Sequence, residues 1–334
     1  MYREAPLHAL DGESTAVKTT LTEYQDVLAV SAKELMCNGV MSLTLRRPDG
    51  GDLPRWAAGA HIDLQLPNGL TRQYSLCGHP DNRTEFRVCV LNETVSRGGS
   101  RYVHDNLAVG DRVQIRGPRN NFSWVPAPRY LFIAGGIGIT PIIPMIIAAE
   151  ASGADWKLAY AGRRRDSMAF LPQLSAFGKR VHVADADGAG RLDLGKLLGS
   201  VEPETLVYCC GPERLMIAVE ALAAGWPEGV LHLERFKPVD PGEQESSGFE
   251  IELRRSGKTL KVSPDKSILK TIQDAGLIVP CSCEEGTCGT CETNVIEGIP
   301  DHRDSVLSAA EKASNRVIMI CVSRSKTERL VVDL

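Results

Sequence analysis

Four cysteines toward the end of the chain have the residue type and spacing needed to bind iron. Cys283, Cys288 and Cys291 form a C-x4-C-x2-C run, and Cys321 follows on a later segment. This spacing is typical of a plant-type [2Fe-2S] cluster, in which each iron takes two cysteine thiolates. Two glycines inside the run would allow a tight loop in which three sulfurs converge and backbone N–H groups face the inorganic sulfides. The sequence therefore predicts one-electron chemistry at these four thiolates.

The same cysteines leave two other interpretations open, structural zinc and disulfide bonds. Zinc ribbons usually carry two separate C-x2-C pairs, whereas this segment has one, and disulfides suit secreted chains. Cys281 lies just before the first predicted ligand and is surplus to the pattern. We assign it a packing role, with an exchange of ligands as the alternative.

A second group of residues suits a nucleotide. Segment 130–141 places a hydrophobic strand before a glycine-rich turn and a helix whose first position is Pro141. Close backbone approach and free helix N–H groups favour a pyrophosphate there. The order G-G-x-G-x-T-P is not the Rossmann fingerprint, so a purely structural turn is an equally simple interpretation.

A related turn follows a later predicted strand, in segment 207–213. Ligands bind at the carboxyl ends of parallel strands, so Cys210, Gly211 and Pro212 would border the same crevice as Gly136. A buried Cys209 followed by an ordinary Gly-Pro turn is the alternative.

A third stretch suits a flat, phosphorylated ring system. In segment 71–77, strand alternation places Arg72 and Tyr74 on one face and Ser75 on the other. Arginine fits a phosphate, tyrosine can flank an aromatic ring, and a serine hydroxyl can bond a ring nitrogen. Segment 97–100, Arg-Gly-Gly-Ser before a short helix, is another possible anion site. Taken alone, an exposed strand with these residues is commonplace.

The elements that position these residues divide the chain. Residues 1–20 are predicted to form a loose polar tail, and 21–124 a small antiparallel barrel of short strands separated by Pro-Asp-Gly, Pro-Asn-Gly and Gly-Gly turns. The predicted barrel strands include Met41–Thr44, His61–Leu66, Phe86–Leu91 and Arg112–Ile115.

From residue 125 to 236, predicted strands alternate with helices, which indicates a parallel sheet covered on both faces. The strands are Tyr130–Ala134, Trp156–Ala161, Arg180–Ala184 and Thr205–Cys209, and the helices are Pro141–Ala151, Ser167–Phe177 and Glu213–Ala224.

Residues 237–248 are rich in Pro, Gly, Ser and Glu and are predicted to be a linker. Residues 249–334 then form a small α+β unit around the cysteine loop. Its predicted elements are the hairpin Phe249–Leu253 and Thr259–Val262, the helix Ser267–Ala275, and the strands Val317–Ile320 and Leu330–Val332.

Composition excludes several classes of protein. The 334 residues are 43% hydrophobic and 24% charged, which is ordinary globular usage, and 38 Lys+Arg against 42 Asp+Glu give a formal charge of −4. We therefore expect no nucleic-acid partner. The beginning of the sequence has no secretory pattern, so we expect a reducing cytoplasm. The uncharged stretch 130–149 could span a bilayer, but its glycines and prolines favour a strand, a turn and a helix, and we expect no membrane partner.

Together these stretches resemble the phthalate dioxygenase reductase family of the ferredoxin–NADP reductase superfamily, over residues 21–334. The resemblance implies an antiparallel β-barrel flavin domain, an α/β parallel-sheet nucleotide-binding domain and an α+β (β-grasp) ferredoxin domain. It implies that FMN contacts Arg72, Tyr74 and Ser75, with its phosphate near Gly98, Gly99 and Ser100, and that Phe236 covers the flavin where nicotinamide enters. It implies that the NADH site is shaped by Gly135, Gly136, Gly138, Thr140, Cys210, Gly211 and Pro212.

The resulting hypothesis is an NADH-dependent oxidoreductase. NADH gives two electrons as a hydride, a [2Fe-2S] cluster accepts one, and FMN can hold the intermediate state. Electrons would then pass to a Rieske-type oxygenase that hydroxylates or demethylates an organic acid such as phthalate. No side chain is nominated as an acid or base. FAD and NADPH stay open, and a non-enzymatic redox sensor or electron carrier is the alternative function.

Segment 284–311 contains seven acidic residues, one arginine and no lysine. Around an exposed cluster, this charge could steer a basic surface of the partner. A solvated acidic loop without a partner is an equally simple interpretation.

Overall fold

The computed structural model describes residues 23–94, 96–188, 190–238 and 246–334, which fold around three main sheets. The predicted tail 1–20 and residues 239–245 of the predicted linker lie outside the described residues. The three predicted classes of sheet, an antiparallel barrel, a parallel sheet and a mixed α+β sheet, are confirmed.

Six antiparallel strands form the first sheet. They are β1 (Gln25–Cys37), β2 (Val40–Arg46), β3 (Ala60–Gln65), β4 (Thr71–Ser75), β5 (Phe86–Leu91) and β6 (Arg112–Asn120), with helix α1 (Gly99–Asp105) after β5. The order across the sheet is β4-β3-β6-β1-β2-β5. Leu28, Val30, Leu43 and Leu45 are buried at alternate positions because successive strand side chains point to opposite faces.

Five parallel strands form the second sheet, in the order β11-β10-β7-β8-β9. Residues 130–135 of β7 are all buried, as expected for a strand covered on both faces. The elements are β7 (Arg129–Gly135), α2 (Ile139–Ser152), β8 (Asp155–Gly162), α3 (Leu171–Leu174), β9 (Val181–Asp185), α4 (Leu194–Gly199), β10 (Thr205–Cys210), α5 (Glu213–Leu222) and β11 (Leu231–Glu234).

Two predicted helices of this domain differ from the structure. The helix after the glycine-rich turn begins at Ile139 rather than at Pro141. The predicted helix 167–177 was wrong as one continuous element, since only α3 is α-helical and 3-10 turns lie on either side. Phe170 has a left-handed φ of 65°, which interrupts an α-helix, and Pro172 lies in the first turn of α3, where its missing N–H is tolerated.

The uncharged stretch 130–149 is divided between β7 and α2, as predicted, and lies in the hydrophobic core of this domain. Across the described ranges, none of the helices combines the length and the apolar character needed to cross a bilayer.

The third sheet has the order β13-β12-β18-β14-β16, and a two-stranded sheet lies beside it. Ser267 caps α6 by accepting the N–H of Lys270, and Ser308 and Glu311 form a capping box on α7. The elements are β12 (Phe249–Leu253), β13 (Lys258–Val262), α6 (Ile268–Asp274), β14 (Glu292–Glu297), β15 (Pro300–Asp301), α7 (Ala309–Ser314), β16 (Val317–Met319), β17 (Arg324–Ser325) and β18 (Arg329–Val332).

Candidate functional site

The four predicted iron ligands lie together between α6 and β14 and at the end of β16. Cys288, Cys291 and Cys321 are buried and Cys283 is half-buried. Hydrogen bonds from Cys288 and Cys321 lower the pKa of Cys283, and a bond from Cys321 lowers that of Cys291. The same bonds raise the pKa of Cys288 and of Cys321. The opposite shifts show that the four thiols lie close enough to share protons, as the ligands of one cluster must.

Hydrogen bonds connect the four thiols in a chain. Cys283 is bonded to both Cys288 and Cys321, and Cys321 is also bonded to Cys291. Four neighbouring cysteine sulfurs are the ligand set of a plant-type [2Fe-2S] cluster. The backbone N–H of Glu285 also donates to the sulfur of Cys283 at 3.3 Å.

The two glycines of the cysteine loop are required by its geometry. Gly286 and Gly289 have φ values of 70° and 75°, which non-glycine residues rarely adopt. A Cβ on Gly286 would lie 2.6 Å from the side chain of Val322, and one on Gly289 would lie 3.0 Å from that of Asn121. The second contact matters because Asn121 belongs to the barrel side of the molecule.

The two predicted nucleotide turns meet at the carboxyl ends of β7 and β10, which are adjacent and parallel. A Cβ on Gly138 would lie 2.3 Å from the carbonyl oxygen of Cys210, and one on Gly135 would lie 2.5 Å from the ring of Pro212. Gly211 is similarly close to Gly135. The two turns are therefore packed directly against each other, without room for larger side chains at these glycines.

A cavity of about 580 Å³ opens at these turns. Gly136 and Pro212 line it, and so do three arginines, Arg163, Arg191 and Arg214. The cavity thus offers cationic groups beside the glycine turn, as a nucleotide phosphate requires. Thr140 does not face it, since its buried hydroxyl donates to the carbonyl of Ile137 at 2.9 Å.

The predicted flavin residues lie on β4 and on the turn before α1. Arg72 donates to the carbonyl of Arg97 at 3.0 Å, and a Cβ on Gly99 would lie 2.7 Å from the Arg72 side chain. Gly98 has a φ of 90° and Ser100 is the second residue of α1, so the predicted phosphate residues adjoin Arg72. Burial raises the pKa of Tyr74 to about 12, which keeps its phenol neutral.

Glu234 is a candidate that the sequence prediction missed. It ends β11 and lies opposite Cys210 in the sheet. Burial raises its pKa to about 8, and the hydroxyl of Ser75, on the barrel, partly offsets that shift. A carboxyl group, a thiol and a hydroxyl from three strands are therefore brought together between the barrel and the nucleotide sheet. Nothing in the Glu-Arg-Phe segment indicates this contact, because it joins distant parts of the chain.

Phe236 lies two residues after Glu234 and is 41% exposed. The next residue, Lys237, forms an exposed ion pair of 2.8 Å with Glu93 of the barrel, and the backbone N–H of Glu93 donates to the hydroxyl of Ser100. The covering role of Phe236 stays a prediction.

Family comparisons agree with this division into sites. A model of the oxidoreductase FAD-binding domain matches residues 27–124, and a model of the 2Fe-2S iron-sulfur cluster binding domain matches residues 251–326. Phenoxybenzoate dioxygenase subunit beta from Ectopseudomonas oleovorans is 42% identical over 92% of this chain and 97% of its own length. The solved structure of phthalate dioxygenase reductase is 36% identical, with a TM-score of 0.68, over 93% of this chain and 98% of that one. The chain belongs to the phthalate dioxygenase reductase family.

This member of the family is an oxidoreductase with a flavin domain and a [2Fe-2S] domain. It also resembles part of a type IV self-sufficient cytochrome P450 monooxygenase, with 43% identity and a TM-score of 0.88. That match covers 93% of this chain but only 41% of the P450.

The acidic segment of this family member is largely engaged within the chain. Glu285 pairs with Arg97, Asp301 with Arg303, and Asp304 is buried beside Lys312. Glu311 belongs to the capping box of α7. These contacts leave less free charge for steering a partner than the sequence alone indicates.

Proposed function

We propose that this chain carries electrons from NADH through FMN and a [2Fe-2S] cluster to a Rieske-type oxygenase that acts on an organic acid such as phthalate. Among its relatives, phthalate dioxygenase reductase is described as a modular structure for electron transfer from pyridine nucleotides to [2Fe-2S]. Phenoxybenzoate dioxygenase subunit beta carries the name of an oxygenase system.

The observation that carries the proposal is the position of β4 between the other two domains. Ser75 at the end of β4 lies near Glu234, which lies opposite Cys210 in the nucleotide sheet. Gln73 of the same strand donates to Ser282 at 2.9 Å, immediately before the ligand Cys283. The three candidate sites are therefore contiguous, in the order nucleotide, flavin, cluster.

The side chains of this chain act by binding and alignment. The glycine turns allow close approach of the nucleotide, and the cavity arginines offer charge to its phosphates. Burial raises the pKa of Glu234 to about 8, which favours its uncharged form and so weakens its repulsion of an anionic ligand. When bound, the flavin supplies the conversion from two-electron to one-electron transfer.

The order of the sites is tested by removing one iron ligand. In Cys288→Ser, NADH-dependent reduction of ferricyanide is expected to persist while reduction of cytochrome c is lost. The ferricyanide reaction controls for an intact flavin and nucleotide site. Loss of both reactions, or of neither, would contradict the order. A wild-type protein that reduces neither acceptor would favour the redox sensor.

The partner class is tested separately, with the purified protein and its co-purifying oxygenase. A Rieske partner would contain iron bound by two histidines and two cysteines, and reduced chain should transfer electrons to it. A haem protein as the efficient acceptor would contradict the Rieske assignment while leaving the electron path intact.

A further inference from the structure

We infer that Gln73, Asp63 and Ser282 form an interdomain triad that positions the cluster loop against the flavin strand and so sets the rate of electron transfer between the two cofactors. The inference rests on the proposed order of flavin before cluster. It assigns these three residues a positioning role, since none of them is predicted to touch a cofactor.

The triad is a closed set of three hydrogen bonds across the domain boundary. The Nε2 of Gln73 donates to Oδ1 of Asp63 at 2.7 Å and to Oγ of Ser282 at 2.9 Å. The hydroxyl of Ser282 donates to Oδ2 of Asp63 at 2.6 Å. Each carboxylate oxygen and both protons of the amide are used, so the geometry depends on all three side chains.

The barrel side of the triad is rigid. Asp63 and Gln73 are directly paired across β3 and β4, and Asp63 is only 3% exposed. Arg119 forms an ion pair with Asp63 and a second one with Glu23, so the buried charge keeps a partner and a fixed orientation. The barrel itself thus holds the acceptor in a fixed orientation toward the cluster loop.

The triad lies between the predicted flavin site and the predicted cluster site. Gln73 lies between Arg72 and Tyr74 on β4, but strand alternation turns it to the opposite face. Ser282 immediately precedes Cys283. A single hydrogen bond therefore joins the strand that carries the predicted flavin contacts to the residue before an iron ligand.

The other polar contacts between the barrel and the cluster loop either bind backbone groups or are exposed to solvent. Asn121 donates to the carbonyl of Cys288 at 3.0 Å, and Arg116 donates to that of Cys281 at 3.3 Å, so both bind backbone. Arg97 pairs with Glu285 but its side chain is 63% exposed, and water and salt weaken such a pair. In the described structure, the triad contacts a side chain of the loop through a buried barrel acceptor, Asp63.

The test uses Ser282→Ala and Gln73→Leu in the holoprotein, with cluster content checked by iron analysis and visible absorbance. Rapid mixing with NADH should show flavin reduction at the wild-type rate in both variants. Cluster reduction should be slowed about tenfold in Ser282→Ala, which loses the charge-assisted bond to Asp63, and by a smaller factor in Gln73→Leu, which across the domain boundary loses only the neutral bond to Ser282. Amide hydrogen exchange of segment 281–285 should become faster to a similar degree. This second measurement reports docking of the loop without turnover.

Matched controls separate positioning from general damage. Ser282→Thr keeps the hydroxyl and should retain both the rate and the exchange protection. Ser256→Ala in the same domain and Gln173→Leu on the exposed surface should change neither. If Ser282→Ala does not bind the cluster, the test of the positioning role uses Gln73→Leu alone, because that substitution lies in the barrel.

The outcomes are distinct. Wild-type cluster reduction and unchanged exchange in both variants would overturn the inference. Equal slowing of flavin and cluster reduction would also overturn it, because a positioning role affects only the second step. A wild-type protein whose cluster is never reduced by NADH would instead overturn the proposed function.

Discussion

Substitution of Gly138 by alanine tests whether the two nucleotide turns work as one structure. Gly138 has a φ of −61°, so alanine has no conformational penalty there. Its Cβ, however, would lie 2.3 Å from the carbonyl oxygen of Cys210, where ordinary contacts begin at 3.4 Å. The turn after β7 and the end of β10 must then separate by about 1 Å. Overpacking of this kind costs about 1–3 kcal/mol.

We propose that the pyrophosphate of the nucleotide binds in the crevice between these two turns. Binding would then require the turns to return to their wild-type separation, against the strain that alanine introduces. If the whole strain opposes binding, the Kd for NAD⁺ should rise about 5- to 150-fold. Titration calorimetry with NAD⁺ and the oxidised protein measures this without turnover. A thermal melt of the same sample gives the accompanying loss of stability.

Gly153→Ala is the matched control in the same domain. Gly153 ends α2 with a φ of 71°, and a Cβ there would meet nothing within 4 Å, so alanine costs about 1–2 kcal/mol of conformational strain and causes no steric clash. Its melting temperature should fall while its affinity for NAD⁺ is unchanged. The reasoning is refuted if Gly138→Ala binds NAD⁺ as the wild type does.

Three further predictions concern charge and sulfur. Burial raises the pKa of Glu234 to about 8, above its usual 4.5, so between these pH values the folded protein keeps a proton that the unfolded chain loses. The free energy of unfolding should therefore fall by about 1.4 kcal/mol per pH unit from roughly pH 4.5 to 8 and then level off. Thermal melts of Glu234→Gln should lack this pH dependence. Glu285→Gln removes the exposed ion pair with Arg97 and should lower the free energy of unfolding by less than about 1 kcal/mol in denaturant melts. High salt should abolish this difference between the variant and the wild type. A larger loss that does not depend on salt would show that the pair is buried in solution. Cys281→Ser should keep two irons per chain and the visible spectrum, since the Cys281 sulfur contacts Gln273 at 3.6 Å and burial raises its pKa; loss of iron would make it a ligand.

The sequence predicts the sites whose chemistry is local. The spacing of Cys283, Cys288 and Cys291 determines a loop because the ligands lie within one short segment. The meeting of Gly138 with Cys210 is predictable too, because parallel strands align their carboxyl ends at one edge of the sheet. Both predictions need only spacing and the topology of adjacent strands.

The contacts between domains are not predictable in this way. Glu234 contacts Ser75, and Gln73 contacts Ser282, across long separations in the sequence with no shared motif. The failed helix prediction for 167–177 has a different origin. The segment contains Pro172, which lacks a backbone N–H and is tolerated only in the first turn of a helix, so α3 begins at Leu171 rather than at 167.

The strand β4 contributes contacts to all three candidate sites. Along its five residues, Arg72 contacts the turn before α1, Gln73 contacts the cluster loop, and Ser75 faces Glu234 of the nucleotide sheet. Because side chains alternate between the two faces of a strand, a shift of register by one residue would turn each of them to the wrong face. The direct pairing of Asp63 with Gln73 on β3 and β4 therefore does more than hold the triad. It fixes the register that directs one strand toward three candidate sites, so the alignment of these sites depends on barrel geometry as much as on any residue predicted to touch a cofactor.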